Sequence, residues 1–217
     1  MAVSLVFGMT ESGKSYLVNK RIIPQKKKVV VFDYAHCFTG GKEITNIEKN
    51  YKKIFAKYSK EEKFYLIYRP PRNIDDIKAF DYLAALSIAL GRSIGKNVPR
   101  EERLLLVIDE ADHICSPSFQ SRKLKELVNK GRHDNVDTTA IARIPQRLHT
   151  DLRSNATTQI SFRLTNDAAL KNFRLNISNE AAKEIAALKK YYFLKWQDTG
   201  EAAIFDDRAK KIKSLKN

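Results

Sequence analysis

The sequence predicts an α/β fold of three layers, with a mainly parallel central sheet and a C-terminal hairpin. Three observations predict it. Short apolar, β-branched segments alternate with amphipathic ones, the pattern of a parallel sheet covered on both faces. A glycine-rich loop over residues 8–15 separates the first apolar segment from the first helical one. The most apolar segment, 103–108, runs straight into two carboxylates, Asp109 and Glu110. With 217 residues, 43% of them hydrophobic, the chain can bury a core without metal or disulfide staples. One domain is expected over 1–207, with a basic tail over 208–217.

Val3–Phe7 reads as the first strand, closed by Gly8. Residues 14–20 follow as a helix that stops before Pro24, which has no N–H to donate. Residues 29–32 form a second buried strand, and 33–41 a loop. Residues 42–63 are rich in lysine, with Ile44, Ile47, Ile54 and Phe55 as a partial helical stripe. Phe64–Tyr68 is a third strand, ended by Arg69, Pro70 and Pro71. Asn73 is placed to cap a helix whose first turn carries Asp75 and Asp76, favourable at the positive end of the helix dipole. Ile77, Phe80, Leu83, Leu86 and Leu90 then mark the core side of that helix. Beyond the acidic strand, a helix fits 119–131. Strands fit 138–142 and 160–164, with a helix between them. Residues 191–197 and 201–205 flank Asp198, Thr199 and Gly200 as a hairpin. The final RAKKIKSLKN reads as a polar, frayed end.

Forty Lys and Arg against 25 Asp and Glu leave a net charge of +15. That excludes an acidic solvating chain and points to a polyanionic partner, nucleic acid first and an anionic membrane face second. Cys37 and Cys115 form no CxxC or Cys/His cluster, so neither a structural zinc nor a disulfide framework is expected, and reduced thiols fit a cytosol-like compartment. The opening MAVSLVFGM lacks the charged start and long apolar run of a secretion signal. The longest apolar stretch, 83–90, falls far short of the ~18–20 residues that cross a bilayer. A soluble protein with no transmembrane segment is expected.

The run Gly8, Met9, Thr10, Glu11, Ser12, Gly13, Lys14, Ser15 satisfies G-x-x-x-x-G-K-[ST] in full. The glycines let successive backbone N–H groups turn toward phosphate oxygens, and the helix N-terminus adds positive potential. Lys14 then reaches the β- and γ-phosphates of ATP, and the Ser15 hydroxyl ligates Mg²⁺. A strand before the loop and a helix after it supply the required context. Adjacent acids at the end of a buried strand cost desolvation energy unless they have a cation or a task. Beside a phosphate loop they have one: Asp109 holds the Mg²⁺ shell, and Glu110 activates the attacking water as general base. This is the pattern of an ATP hydrolase rather than a small-molecule kinase, which needs no activated water. His113 reads as a loop residue, and His36 and His149 stand alone.

With Phe64–Tyr68 lying between the second strand and the acidic strand, the chain is similar to the additional-strand, RecA-like P-loop ATPases with a catalytic glutamate. The run KGRHDNVDTTAIARIPQRL at 130–148 carries a narrower resemblance, to the FtsK–HerA superfamily of ring-forming DNA pumps. There a helix ending in an arginine, here Arg132, precedes a strand ending in Thr-Gln-Arg-Pro. A stretch like Asp151-Leu152-Arg153-Ser154-Asn155 and a strand ending in Phe-Arg, here Phe162-Arg163, follow. The spacing from Arg132 to Pro145 fits without gaps, and the likeness covers residues 3–165. The chain departs from the family at Arg143, which falls where a Gln sensor is usual; a planar guanidinium suits γ-phosphate oxygens.

The chain looks most like the genome-packaging ATPases of tailless icosahedral viruses with internal membranes. The resemblance implies a homo-oligomeric ring, pentameric or hexameric, moving double-stranded DNA into a preformed capsid. It also implies a capsid or membrane-vertex partner and a place in the host cytoplasm or virion. Arg153, Arg163 and Arg132 are the candidates for an arginine acting on a neighbouring subunit's nucleotide. Two other readings stay open. Filamentous-phage assembly and secretion ATPases, which move protein, share much of the pattern but usually carry a transmembrane segment after the ATPase domain. A nucleotide kinase lacks a lid arginine cluster here and leaves Glu110 unexplained. Among weaker signals, Lys26, Lys27 and Lys28 face DNA or form a solvated turn. Lys49, Lys52, Lys53, Lys57, Lys60 and Lys63 make a solvated helix face or a DNA contact. Arg69 and Arg72 edge a pore or close a loop. Tyr191, Tyr192, Phe193 and Trp196 pack the hairpin or stack on bases.

Overall fold

The computed structural model describes residues 3–71, 74–131 and 133–215. The early strands are β1 (Val3–Phe7), β2 (Lys28–Phe32), β3 (Lys42–Ile44), β4 (Phe64–Tyr68) and β5 (Leu104–Ile108). A short ribbon, β6 (Cys115–Ser116) and β7 (Phe119–Gln120), follows. The later strands are β8 (Val136–Ala142), β9 (Thr158–Phe162), β10 (Phe193–Gln197), β11 (Ala202–Phe205) and β12 (Lys211–Leu215). The α-helices are α1 (Lys14–Leu17), α2 (Ile47–Tyr58), α3 (Asp76–Ser93), α4 (Arg122–Lys130), α5 (Thr150–Ser154), α6 (Asp167–Asn176) and α7 (Asn179–Ala187).

One sheet has the order β12-β11-β10-β9-β1-β8-β5-β2-β4-β3. Neighbours from β3 to β9 run parallel, and β10, β11 and β12 are antiparallel. The expected mainly parallel α/β fold with a C-terminal hairpin is present. One assignment changes. In the sheet β2 pairs directly with the acidic strand β5, so Phe64–Tyr68 does not lie between them but on the far side of β2 as β4; the strand between β1 and β5 is β8. Chain order misleads here because parallel strands reach their neighbours by crossovers.

Side chains alternate between the two buried faces of the central strands, as period two requires. Val30, Phe32, Leu106 and Ile108 face the larger apolar cluster, where Phe80, Leu83 and Leu86 of α3 and Leu124 and Leu127 of α4 meet them. The ring of Phe80 meets Phe32 edge-on at 5.5 Å. Val29, Val31, Leu105 and Val107 face a smaller cluster closed by Leu17, Val18, Ile23 and Phe38. Both faces are thus covered, unequally. α1 continues as a π-helical stretch, Val18–Ile22, in which the Ile23 N–H donates to the Val18 carbonyl. A 3-10 turn containing Pro24 ends it.

The Asp75 side chain, two residues past the expected cap, accepts from the Lys78 N–H and is the cap of α3; Asn73 lies outside the described residues. The lysine-rich segment begins as a strand, not a helix: Lys42–Ile44 pairs with β4, and helix starts only at Ile47. Residues 119 and 120 belong to the ribbon, and α4 starts at Arg122 behind the Ser121 cap. The C-terminal end is not frayed over 211–215. It pairs with β11, Leu215 is buried, and Lys213 meets Glu180 and Glu184 of α7. Helices α6 and α7 were not expected from the pattern, although Asn166 and Ser178 cap them with side-chain bonds to Ala169 and Ala181 N–H groups.

Candidate active site

β1 and β8 end level, Phe7 opposite Ala142, and β5 ends two residues earlier, Ile108 opposite Ala140. Gly8, Asp109 and Arg143 therefore leave the sheet along one edge, the carboxyl end where open α/β sheets place their ligands. The Gly8 N–H donates to the Arg143 carbonyl at 3.2 Å, and the Asp109 N–H to the Phe32 carbonyl at 3.0 Å.

The phosphate loop is tightly folded. A Cβ on Gly8 would lie 2.5 Å from Ser12 Oγ and 2.9 Å from Phe162 Cβ, so no other residue fits. Gly13 has φ +102° and caps α1 in the left-handed region, where glycine carries no Cβ penalty. The Lys14 ammonium donates to the Gly8 carbonyl at 2.8 Å and the Met9 carbonyl at 2.9 Å. Burial pulls its pKa below that of an ordinary lysine, and the Glu110 and Asp109 carboxylates push back. Ser12 Oγ is buried with no partner among the described residues.

The acidic pair divides into two environments. Asp109 is 2% exposed and accepts the Ala35 N–H at 3.2 Å. Burial raises its pKa to about 6, with the Glu110 and Asp33 charges adding to the rise. Glu110 has φ +45°, a strained backbone for a residue with a side chain. Its Oε2 has no hydrogen bond among the described residues and lies 3.7 Å from Arg143 Nε. Arg143 thus sits against the expected general base. Lys14, Asp109, Glu110 and Arg143, all expected at the site, converge there.

Asp33, at the end of β2, is a further site residue the sequence reading passed over. It is fully buried, accepts from the Cys37 N–H at 2.8 Å and pairs with Arg69 Nε at 3.1 Å. Arg69 also bonds Glu43 and the Phe38 carbonyl. Arg69 therefore closes a loop against the site; Arg72 lies outside the described residues. The signal for Asp33 was available, since an acid ends the second buried strand as Asp109 ends β5. His113 stacks on Tyr34 with ring centres 4.3 Å apart.

The arginines separate. Arg163 is exposed and lines a cleft of about 380 Å³ beside Met9, Glu11 and Ser12 of its own chain. Arg153 lies on α5; its guanidinium donates to Thr150 Oγ1 at 3.3 Å, and its Nε is buried without a partner among the described residues. Arg132 falls outside the described residues. Lys26 and Lys27 form ion pairs with Asp137 and Glu102, and Lys28 bonds the Glu62 carbonyl, so that turn is internally satisfied. Lys49, Lys52, Lys53, Lys57, Lys60 and Lys63 are all exposed. Among the hairpin aromatics, Phe193 stacks on Phe205 at 5.3 Å and meets Phe162 at 5.6 Å.

Ser15, Asp109 and Glu110 offer hard oxygen donors, the chemistry Mg²⁺ selects, and a buried carboxylate with a raised pKa is one whose burial a cation offsets. Among the described residues no three His, Cys, Asp or Glu side chains gather as a self-contained metal cage. That suits an ion held partly by substrate phosphates.

No protein-family model matches the chain, and no curated protein matches it by sequence. Solved structures do. The genome packaging NTPase B204 from Sulfolobus turreted icosahedral virus 2, in complex with AMPPCP, is similar with a TM-score of 0.74 at 22% identity, covering 98% of each chain. B204, the DNA-packaging ATPase from Sulfolobus turreted icosahedral virus, aligns with a TM-score of 0.73 at 19% identity over 98% of each chain. VirB4 of Thermoanaerobacter pseudethanolicus follows, with a TM-score of 0.61 at 13% identity over 100% of this chain and 90% of that one. The chain has the P-loop NTPase fold of these proteins, and the resemblance read from its sequence holds for the fold.

Asp109 sets a pH signature. An ordinary Asp ionises near 3.8 and this one near 6, so between those values the native state holds a proton that the unfolded chain has released. Stability of the unliganded protein falls as pH rises through that window. Asp109→Asn removes the cost and raises stability at pH 7 by about 1–3 kcal/mol. Urea unfolding at pH 4 to 7 reads this, with the two proteins converging toward pH 4; a variant less stable than its parent at pH 7 contradicts it.

Proposed function

We propose that this chain is an ATP-driven motor that moves double-stranded DNA, working as a homo-oligomeric ring that packages a viral genome. The carrying observation is the convergence of Lys14, Asp109 and Glu110 at one sheet edge, in a fold shared with a packaging NTPase crystallised with AMPPCP. The net charge of +15 fits a phosphate-rich track that any sequence can supply. Under this reading the ring works in the host cytoplasm or on the virion, docked on a capsid or membrane-vertex protein. Among the described residues no helix is long and apolar enough to cross a membrane.

The chemistry follows from the geometry. The amides of residues 8–15 hold the phosphates of ATP, and Lys14 exchanges its two loop carbonyls for β- and γ-phosphate oxygens. Mg²⁺, held by Ser15 and Asp109, would neutralise charge on those oxygens. Glu110 takes the proton of the attacking water, and Arg143 holds its carboxylate in place while facing the γ-phosphate. Arg153, with an unpaired Nε, is the arginine that reaches a neighbour's nucleotide; Arg132 is the second candidate. Arg163, beside its own phosphate loop, serves its own subunit.

Glu110→Gln keeps ATP affinity and lowers turnover by ~10²–10⁴, the usual contribution of a general base, whereas Lys14→Ala loses binding or turnover. Near-normal turnover in Glu110→Gln removes the assigned base. Long duplex DNA stimulates hydrolysis regardless of sequence, and its affinity falls steeply with salt, by about 0.9 in log–log slope per phosphate contact. DNA that neither binds at low salt nor stimulates hydrolysis favours the protein-moving alternative. Mixing inactive Lys14→Ala with inactive Arg153→Ala restores part of the activity, since an intact loop then faces an intact arginine. If neither Arg153→Ala nor Arg132→Ala is rescued in this way, sites are not shared between subunits.

A further inference from the structure

The cleft beside the phosphate loop has a second wall. Met9, Glu11 and Ser12 form one side, and Arg163, Lys190 and Tyr191 face them. Its volume of about 380 Å³ lies within the ~300–1,000 Å³ of small-molecule sites. Tyr191 stands out in it. The residue is 45% exposed, yet its ring lies against the loop, since a Cβ on Gly13 would lie 3.3 Å from Tyr191 Cδ1. Its backbone has φ +67°, a conformation that costs a tyrosine energy. Neighbours hold it there. The Tyr192 N–H closes a turn on the Lys189 carbonyl at 3.1 Å, and Phe193 is locked between Phe162 and Phe205. The Lys190 ammonium lies 5.0 Å from the centre of the Tyr191 ring, and the Arg163 guanidinium shares the cleft, so two cations stand on this wall opposite Glu11. A strained, exposed aromatic has no packing reason to stand against a phosphate loop.

We propose that Tyr191 forms the nucleobase wall of the nucleotide site. The base of a nucleoside triphosphate, anchored by its phosphates on residues 8–15, stacks on the Tyr191 ring in this cleft. The proposal rests on the phosphate-loop reading above and extends it to the nucleoside half of the ligand. Stacking needs only a π-face, so the wall accepts ATP and GTP alike and adds affinity without reading hydrogen-bond edges. The turn between α7 and β10 is thereby part of the site, although it lies far from the loop in the chain.

The test compares Mg²⁺-ATP, Mg²⁺-GTP and Mg²⁺-tripolyphosphate binding by calorimetry in the full chain. Tyr191→Ala weakens both nucleotides by roughly 5- to 100-fold, the range of an aromatic–base stack, and leaves tripolyphosphate unchanged. Tyr191→Phe keeps both affinities. Tyr191→Gly relieves the left-handed backbone, so its unfolding midpoint rises while nucleotide affinity falls, the opposite of what a packing residue shows. If Tyr191→Ala binds ATP as tightly as the parent, the proposal is overturned. It is overturned too if the variant loses tripolyphosphate equally, or if the parent binds tripolyphosphate and ATP alike. A parent that binds neither ligand refutes the phosphate-loop reading instead.

Discussion

The register of three parallel strands governs everything at the site. β8 enters between β1 and β5, so that Val3 meets Thr138 and Leu104 meets Val136, and the three chains leave the sheet side by side. Side chains alternate faces with period two, so a slip of one residue would turn Asp109 to the opposite face and move Arg143 away from Glu110. β5 and β8 are buried along their whole length. A slip would therefore exchange apolar contacts on both faces at once. The fold invests its strongest packing where the chemistry needs the least freedom.

Charge is distributed to match. At the sheet edge Asp33, Asp109 and Glu110 face Arg69, Lys14 and Arg143, a local balance inside a chain carrying +15. The cationic excess must sit elsewhere, and α2 carries part of it as exposed Lys49, Lys52, Lys53 and Lys57. A polyanion would thus be attracted to the outer surface, while the balanced site admits a polyphosphate only when the loop amides and Lys14 can be offered to it. Under the motor reading proposed above, the placement of charge separates the surface that meets the track from the site that takes the nucleotide.

How much of this was legible depended on whether the information was local. Val3–Phe7 and Phe64–Tyr68 were read to the residue, because an apolar β-branched run between breakers has one reading. The phosphate loop and the Asp109–Glu110 pair were legible because their chemistry needs fixed types at fixed spacing. β3 and β12 were missed because edge strands need not be apolar, and their lysines read as solvated. α6 buries Ala169, Leu170 and Phe173 and α7 buries Ala181, Ala182 and Ile185, and the alanines thin the apolar stripe by which a helix is read. The partnership of Asp33 with Arg69, and of Tyr191 with Gly13, joins positions distant in the chain, so it depends on topology. Arg143 was legible as a departure, but its contact with Glu110 was not.

Both margins of the sheet carry lysine. β3 presents Lys42 at one border, and β12 presents Lys211 and Lys213 at the other, with Lys213 tethered to α7. Charged side chains on such borders, Glu43 as well as Lys42 on β3, oppose edge-to-edge pairing across a hydrogen-bonding gap of about 5 Å. Copies of this chain are thereby discouraged from growing into a continuous ribbon. Whatever geometry they adopt must be joined through helices and loops, contacts that can rock against one another. Under the motor reading proposed above, a seam of that kind lets neighbouring copies shift against one another at each turnover.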